Sequence, residues 1–462
     1  MNVFKELYFQ RVLKDLMAKF HYFQYNSDLK FDQIFMGEIK MIGKHIVLFV
    51  MERLTHWRLT KIHPEIIGVT GSVGKTSTKE AIYAVMSKHL ATHRNEKSYN
   101  TEFGLHLAIL EQESGYSSPL KWGWSLLKGA WSTFMLKEPP YKELILEMGA
   151  DKPGDIGYLL EHVHPKIGVL TAVKAAHLGK GQFPNLESIL EEKSKLVRAL
   201  PADGWAILNA DDERIAPLTS HLRSHFLLFG MSSKADLRAK HVEAGRDGLR
   251  FTLAYEDKSH PIHLPELMGE HQIYVVLPAI AIGFLMGMTL PKILEGLKAF
   301  RLPPGRMNRI EGVEGSLIID SSYNASPDTM EAALEVLRSL PGRKIAALGS
   351  MNELGDHSEA AHRHVGKIVP QIADMLITVG EAARFYADEA LSHGLLKDFV
   401  YQFDSAKAAG EFLRNKIRKD DVILVKGSQN TIRMEYLIQE IMQYPEKARD
   451  CLVRQDAHWK MH

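Results

Sequence analysis

The stretch Ile66-Ile67-Gly68-Val69-Thr70-Gly71-Ser72-Val73-Gly74-Lys75-Thr76-Ser77-Thr78 constrains the fold of this chain more than any other. A β-branched run enters a turn containing Gly71 and Gly74, and Lys-Thr opens a helix-friendly segment that runs from Lys79 to Lys88. Strand, glycine turn and helix form the context of a phosphate-binding loop. The glycines let backbone N–H groups turn inward on an anion, and the helix start adds partial positive charge. Lys75 is then placed to reach the β- and γ-phosphates, and Thr76 to offer a hydroxyl to Mg²⁺. Ser72, Val73 and Ser77 complete the expected cradle. The spacing departs from the usual loop, because only Ser72 and Val73 separate the two glycines.

Such a loop needs a sheet with helices on both faces, and 462 residues suffice for two to four domains. The formal net charge of +1 gives no global field toward nucleic acid. The lone cysteine, Cys451, excludes an internal disulfide and a multi-cysteine metal site, and a reducing cytoplasm fits it. The N-terminus alternates charged and apolar residues, so no cleavable leader is expected. No apolar run approaches the roughly 20 residues of a membrane-spanning helix.

Residues 1–62 read as a helical N-terminal extension. Phe4, Leu7, Tyr8, Val12, Leu16, Phe20 and Phe23 recur at helical spacing, Asn26-Ser27-Asp28 reads as a turn, and a second apolar stretch runs from Ile34 to Leu54. A pair of helices packed on the catalytic body is the plainer expectation. An arm for a membrane surface or a protein partner is the alternative. Leu120 to Leu136 holds Trp122, Trp124 and Trp131 with Lys121 and Lys128. That mixture suits a membrane or protein contact as well as it suits a helix covering a sheet edge.

Leu144 to Gly149 is a buried-type strand that ends on Glu147, a carboxylate well placed for Mg²⁺ in a sheet that carries a phosphate loop. A further strand, Ile167 to Thr171, leads to His177. A helix from Leu186 to Leu200 carries Lys193 and Lys195, and Trp205 to Asp212 gives another strand and turn. These alternating elements make a doubly wound α/β domain over 63–304. Within it, 230–265 reads as short, irregular strands. Pro303-Pro304-Gly305-Arg306 marks a boundary, and 305–462 reads as a second α/β domain of Rossmann-like type without GxGxxG.

Several motifs occur in a fixed order: Thr70 to Ser77, Glu147-Met148-Gly149, Ala176-His177-Leu178, Asn209-Ala210-Asp211-Asp212, Gly305-Arg306, Ser322 to Pro327, Leu348 to Gly355, and Val425 to Ser428. In this order they resemble those of the Mur ligases, the ATP-dependent amino-acid ligases of peptidoglycan synthesis. The Tyr-Asn-Ala-x-Pro and Met-x-Glu-Leu-Gly signatures point to the branch that joins D-Ala-D-Ala to a UDP-N-acetylmuramoyl-tripeptide. The resemblance implies transfer of the ATP γ-phosphate to a carboxylate, attack on the acyl phosphate by an amine, and a cytoplasmic enzyme. It implies that Lys75 and the loop amides hold phosphates. Thr76 and Glu147 then hold one Mg²⁺, and His177 helps hold a second. Lys193 matches a lysine that is often carbamylated in the family, with Lys195 as the alternative register. Arg306 would contact phosphate, Asp320, Tyr323 and Asn324 the adenosine, and Lys426 and Ser428 the incoming amino acid. Asn100 and Thr101 fall near the peptide substrate.

Several positions depart from the family pattern. Ser98, Thr101, Gln272, Val275, Ser321 and Gln429 stand where asparagine, aspartate or arginine is common. Residues 1–62 are too short and too helical to match the family's UDP-sugar domain. The changes lie where substrate recognition is expected. A Mur-like ligase with another carboxylate and amine, or a non-catalytic ATP-binding scaffold, are the alternatives.

Overall fold

Runs of Val, Ile and Leu without polar alternation need cover on both faces, which parallel sheets flanked by helices provide. The computed structural model describes residues 31–95, 102–114, 118–174, 182–352, 354–429 and 432–455. It builds two such sheets. The first joins β1 (Glu65–Thr70), β2 (Thr92–Arg94), β3 (Glu143–Glu147), β4 (Ile167–Leu170), β5 (Trp205–Asn209) and β6 (His225–Gly230) in the order β2-β3-β1-β4-β5-β6, all parallel. Ile67, Val69, Leu144, Ile145, Val169 and Ile207 are fully excluded from solvent. β1 lies between β3 and β4, so the chain leaves it toward either side of the sheet. Ligands bind outside the carboxyl ends of strands at such a reversal.

Three further strands extend this sheet: β7 (Leu237–Gly245), parallel to β6, then β8 (Gly248–Tyr255) and β9 (Lys258–Leu264), antiparallel. They run to 9, 8 and 7 residues, longer and more regular than their sequence suggests. A β-bulge between Lys240 and Glu243, with His241 at φ 48°, hides the alternation. A tight turn at Arg246-Asp247, closed by Gly248 at φ 106°, fixes the hairpin.

Around this sheet lie α1 (Phe31–Ile62), α2 (Lys75–Met86), α3 (Glu102–Leu110), α4 (Pro119–Met135), α5 (Asp155–His162), α6 (Leu186–Arg198), α7 (Ile273–Leu285) and α8 (Leu290–Ala299). α7 is apolar all round and buried, and it packs with α8 against α2. A Cβ on Gly296 would sit 2.5 Å from Val85 Cα, so α8 holds the phosphate-loop helix closely. α1 is a single helix of 32 residues. The stretch Phe4 to Phe23 lies outside the described residues. The end of α1 is built into the central domain. Arg58, 3% exposed, donates to Ser132 Oγ and Glu111. Thr55 Oγ1 meets His106 Nδ1 at 3.0 Å, and Glu52 accepts from Tyr158 Oη at 3.2 Å.

The second sheet has the order β10-β11-β15-β12-β13-β14, built from β10 (Asn308–Glu311), β11 (Leu317–Ser321), β12 (Lys344–Gly349), β13 (Met375–Val379), β14 (Val400–Phe403) and β15 (Val422–Lys426). Only β10 is antiparallel to its neighbour. α9 (Pro327–Ser339), α10 (Ser358–Ile368), α11 (Arg384–Ser392), α12 (Ala406–Arg414) and α13 (Glu435–Ile441) flank it. The two sheets meet across one apolar cluster that holds Leu267 and Met268 with Met330 and Val336 of α9. Arg309 also donates to the carbonyls of Arg246 and Pro265.

Candidate active site between two sheet edges

The turn after β1 is held open by its neighbours. Gly71 has φ 147° and Gly74 φ 84°, the latter ending the turn as the N-cap of α2. A Cβ on Gly71 would sit 2.0 Å from Thr171 Oγ1. That hydroxyl cannot retreat easily, because it donates to Val73 O at 2.7 Å. Ser72 N–H donates to Ala172 O at 2.7 Å, and Ser72 Oγ meets the backbone of Lys174. Behind these contacts, Asn209 Nδ2 donates to Thr171 O and Asp212 accepts from Val173 N–H. The Asn-Ala-Asp-Asp motif is therefore a brace for the phosphate loop. Asp211 faces elsewhere, accepting from Met231 and Ser232 N–H and from Tyr274 Oη.

The register of β3 against β1 sets Glu147 beside Val69, immediately below the turn. Glu147 is 4% exposed, and its N–H donates to Asn95 Oδ1. Thr76 and Ser77 are buried in the first turn of α2. Lys75 is half-buried, and burial lowers its pKa, offset by Glu147 and Asp151 and reinforced by Arg306. Lys193, buried on α6, has its pKa pushed down to about 7 by burial and then by Lys75. Asp151, Glu192 and Asp155 oppose that shift. Of the two candidate registers, the structure puts Lys193 beside Lys75. Lys195 lies on the outer side and donates to Glu192 at 2.6 Å. Glu192 accepts from Gly154 and Ile156 N–H. Burial would raise its pKa, but those donors and Lys195 outweigh burial and hold it below the ordinary value.

Two contributors had no clear signal in the sequence. Lys79, one helical turn beyond Lys75, is fully buried, donates to Asn95 O and pairs with Glu80 at 3.1 Å. Asn95 directly follows β2, a strand too short to show a pattern. His177, Asn100 and Thr101 lie outside the described residues.

The second sheet contributes from its own carboxyl edge. Gly305, at φ 73°, turns the chain into Arg306, whose guanidinium lies 4.1 Å from the Tyr323 ring centroid. Asp320 is fully buried and accepts from Gly305 N–H, Ser322 N–H and Ser322 Oγ. Burial pushes its pKa up to about 6 against those bonds. Its carboxylate is thus engaged in fixing the turn that carries Arg306. Lys426, 3% exposed, donates to Ser321 Oγ at 3.1 Å and Asn324 O at 2.8 Å. Burial, then Arg306, lowers its pKa to about 7. His271 lies near it, with its pKa pushed down to about 4 by burial and then by Lys426. Ser428 Oγ accepts from Asn352 N–H and donates to Ala325 O. Gln272 Oε1 accepts from Met268 and Gly269 N–H. Arg454, which the sequence did not single out, clamps this loop by donating to Ser322 O and Glu435.

A phosphate loop with a carboxylate below it, faced by an arginine from a second α/β domain, defines an ATP-dependent ligase of the acid–amino-acid class. The family model described as Mur ligase middle domain matches residues 69–118 and 130–283, and that described as Mur ligase, glutamate ligase domain matches 305–429. The chain belongs to the Mur ligase family. It is 28% identical over 403 residues to the UDP-N-acetylmuramoyl-tripeptide–D-alanyl-D-alanine ligase of Bacillus subtilis (strain 168), covering 86% of this chain and 80% of that protein. It is 31% identical over 390 residues to the enzyme so named in Mycobacterium tuberculosis (strain ATCC 25618 / H37Rv), covering 79% and 70%. A crystal structure of MurF from Acinetobacter baumannii superposes with TM-score 0.70 at 26% identity, covering 84% of this chain and 79% of that one. The fold is also that of MurF ligase from Thermotoga maritima in complex with ADP, with TM-score 0.70 at 24% identity and coverage of 87% and 84%.

Proposed function

We propose that this chain joins D-Ala-D-Ala to a UDP-N-acetylmuramoyl-tripeptide, with ATP converted to ADP and phosphate. An oxygen of the tripeptide carboxylate attacks the γ-phosphorus and ADP leaves. The amine of D-Ala-D-Ala then attacks the acyl carbon, the C–O bond to the phosphoryl group breaks, phosphate leaves with that oxygen, and the amine proton passes to solvent or phosphate. Both reactants of the first step are anions, so the barrier is electrostatic, and fixed cations and N–H donors lower it. Lys75 and the loop amides bind the phosphates, and Arg306 approaches them from the second domain. The observation that carries this reading is the meeting of Lys75, Lys193 and Glu147 with Arg306 around one turn.

The Thr76 hydroxyl and Glu147 carboxylate are hard oxygen donors that fit Mg²⁺. When bound there, Mg²⁺ supplies charge neutralisation for the triphosphate. His177 is the further ligand on the resemblance. Lys193 with a pKa near 7 holds a large neutral fraction at neutral pH, the form that can take up CO₂ as a carbamate. The test is phosphate release with UDP-N-acetylmuramoyl-tripeptide and D-Ala-D-Ala, set against single amino acids. Turnover with the pair alone supports the proposal, and ATP binding without turnover, or turnover with a single amino acid, overturns it. A different acceptor pair is the second reading. It is favoured by Gln272 and Ser321, whose side chains bond within the protein where the family's substrate-side residues stand.

A further inference from the structure

α4 is apolar on both sides. Its inner face packs Trp122 and Leu126 against Met51, Leu107 and Leu110. Its outer stripe, Leu120, Trp124, Leu127, Trp131 and Phe134, follows helical spacing, and each side chain is between 61% and 88% exposed. This is on the order of several hundred Å² of apolar surface, more than scattered single residues explain. α1 runs alongside in the same direction, since Met51 meets Trp122 while Lys61 donates to the carbonyls of Thr133 and Phe134. It adds exposed Ile46, Phe49 and Trp57. The family's middle-domain match stops at 118 and resumes at 130, so the first turns of α4 fall outside it.

The charge around the stripe selects the partner. Between Glu113 and Glu138 the sequence carries Lys121, Lys128 and Lys137 and no Asp or Glu. Cations lie over the aromatic rings: Lys128 over Trp124 at 5.4 Å, Lys61 over Trp57 at 5.1 Å, and Arg53 over Phe49 at 5.4 Å. Of the acids near this face, Glu52 turns inward to Tyr158 and Glu111 is paired with Arg58, while Glu113 and Glu138 stay exposed at its borders. A straight apolar stripe of about 22 Å with aromatic and lysine edges fits a helix lying in a lipid–water interface. Tryptophan settles at the headgroup level, and lysines meet anionic headgroups. No helix among the described residues is long and apolar enough to cross a membrane. Lys61 stands just before β1, which puts the end of α4 at the sheet edge opposite the phosphate loop.

We infer that the outer face of α4, with the exposed side of α1, binds the surface of an anionic phospholipid bilayer. The full chain is sedimented with phosphatidylcholine vesicles and with vesicles carrying about one-third phosphatidylglycerol. The expected result is binding to the anionic vesicles, weakened several-fold by added salt as the headgroup charge is screened. Trp124→Ser with Trp131→Ser should weaken binding at least about tenfold, and so should Lys121→Glu with Lys128→Glu, while ligation in solution is unchanged. Circular dichroism and that retained ligation show that the variants fold. No binding to anionic vesicles overturns the inference, as does equal binding by the tryptophan variant. Self-association in light scattering that the tryptophan changes abolish, without vesicle binding, assigns the face to a second copy instead.

Discussion

Lys193 offers the sharpest test, because burial and chemistry pull it in opposite directions. It is 2% exposed and its pKa falls from 10.5 to about 7. At pH 7.5 the unfolded chain carries this proton and the folded chain largely does not. Releasing it over about three pK units costs roughly 4 kcal/mol. Lys193→Met keeps the length of the side chain and removes the titration. It should therefore stabilise the central domain by up to that amount, a rise of roughly 10 °C in its thermal midpoint. The sign fixes the pH dependence. Between pH 7 and 10.5 the unfolded state binds more protons, so wild-type stability climbs with pH. The advantage of methionine is complete below pH 7 and fades by pH 10.5. Ligation should fall about a hundred- to thousandfold, the usual scale for one lost charge contact in a phosphoryl-transfer site. Thermal melts at pH 7.5 and 10.5, with phosphate release on the same samples, check both halves. A variant no more stable than wild type at pH 7.5, a gain independent of pH, or ligation within threefold of normal would refute the reasoning.

Lys75→Ala should abolish ligation while the protein still folds, and ADP release at a near-normal rate with both substrates would show that Lys75 does not hold the phosphates. Gly71→Ala forces a Cβ to within 2.0 Å of Thr171 Oγ1 at a backbone φ of 147°. A strain of about 2–3 kcal/mol displaces the loop, so affinity for a fluorescent ATP analogue should fall at least about thirtyfold. His106 is buried beside Thr55 and Tyr158, with its pKa lowered to about 3 by burial and then by His162. Its unfolded form binds the proton more tightly between pH 6.5 and 3, so stability falls as pH drops through that window, by roughly 4–5 kcal/mol in full. His106→Gln should flatten that acid limb in melts between pH 6.5 and 4, and an unchanged limb would mean that other groups, such as His271, carry it.

The phosphate loop was legible because its chemistry is local: β1, the turn and α2 are consecutive, and Lys75 and Thr76 follow the glycines directly. The choice between Lys193 and Lys195 was also legible in principle. Ile189, Leu196 and Leu200 mark the inner face of α6, and only position 193 falls at helical spacing with them. Asn95 left no such mark, since it follows a three-residue edge strand with no periodicity to read. The second sheet was harder still. Asp320, Lys426 and Ser428 stand in motifs that suggest ligand contact, but sequence cannot tell whether a polar side chain points at a ligand or at the turn beside it. Here all three are occupied by internal hydrogen bonds. The long run of α1 was obscured by Gly37 and Gly43, which the helix tolerates because tertiary contacts bury its end.

Those internal bonds also explain how the second sheet is built to act. Lys426, behind Arg306, has its pKa brought to about 7 by burial and by Arg306 itself. A cation that must meet phosphate is best held by groups that do not compete for it. Asp320 serves that end, since its oxygens accept from Gly305 and Ser322 and leave Arg306 stacked on Tyr323. The same logic holds across the cleft, where Glu192 is occupied by backbone N–H groups and Lys195, leaving Lys193 to Lys75 and Asp151. In both domains a carboxylate next to the site is taken up by structure, so the positive charge at the mouth of the cleft stays available to a triphosphate. Buried lysines and an exposed tryptophan stripe both break the ordinary rules of burial. A chain keeps such exceptions where binding or catalysis depends on them.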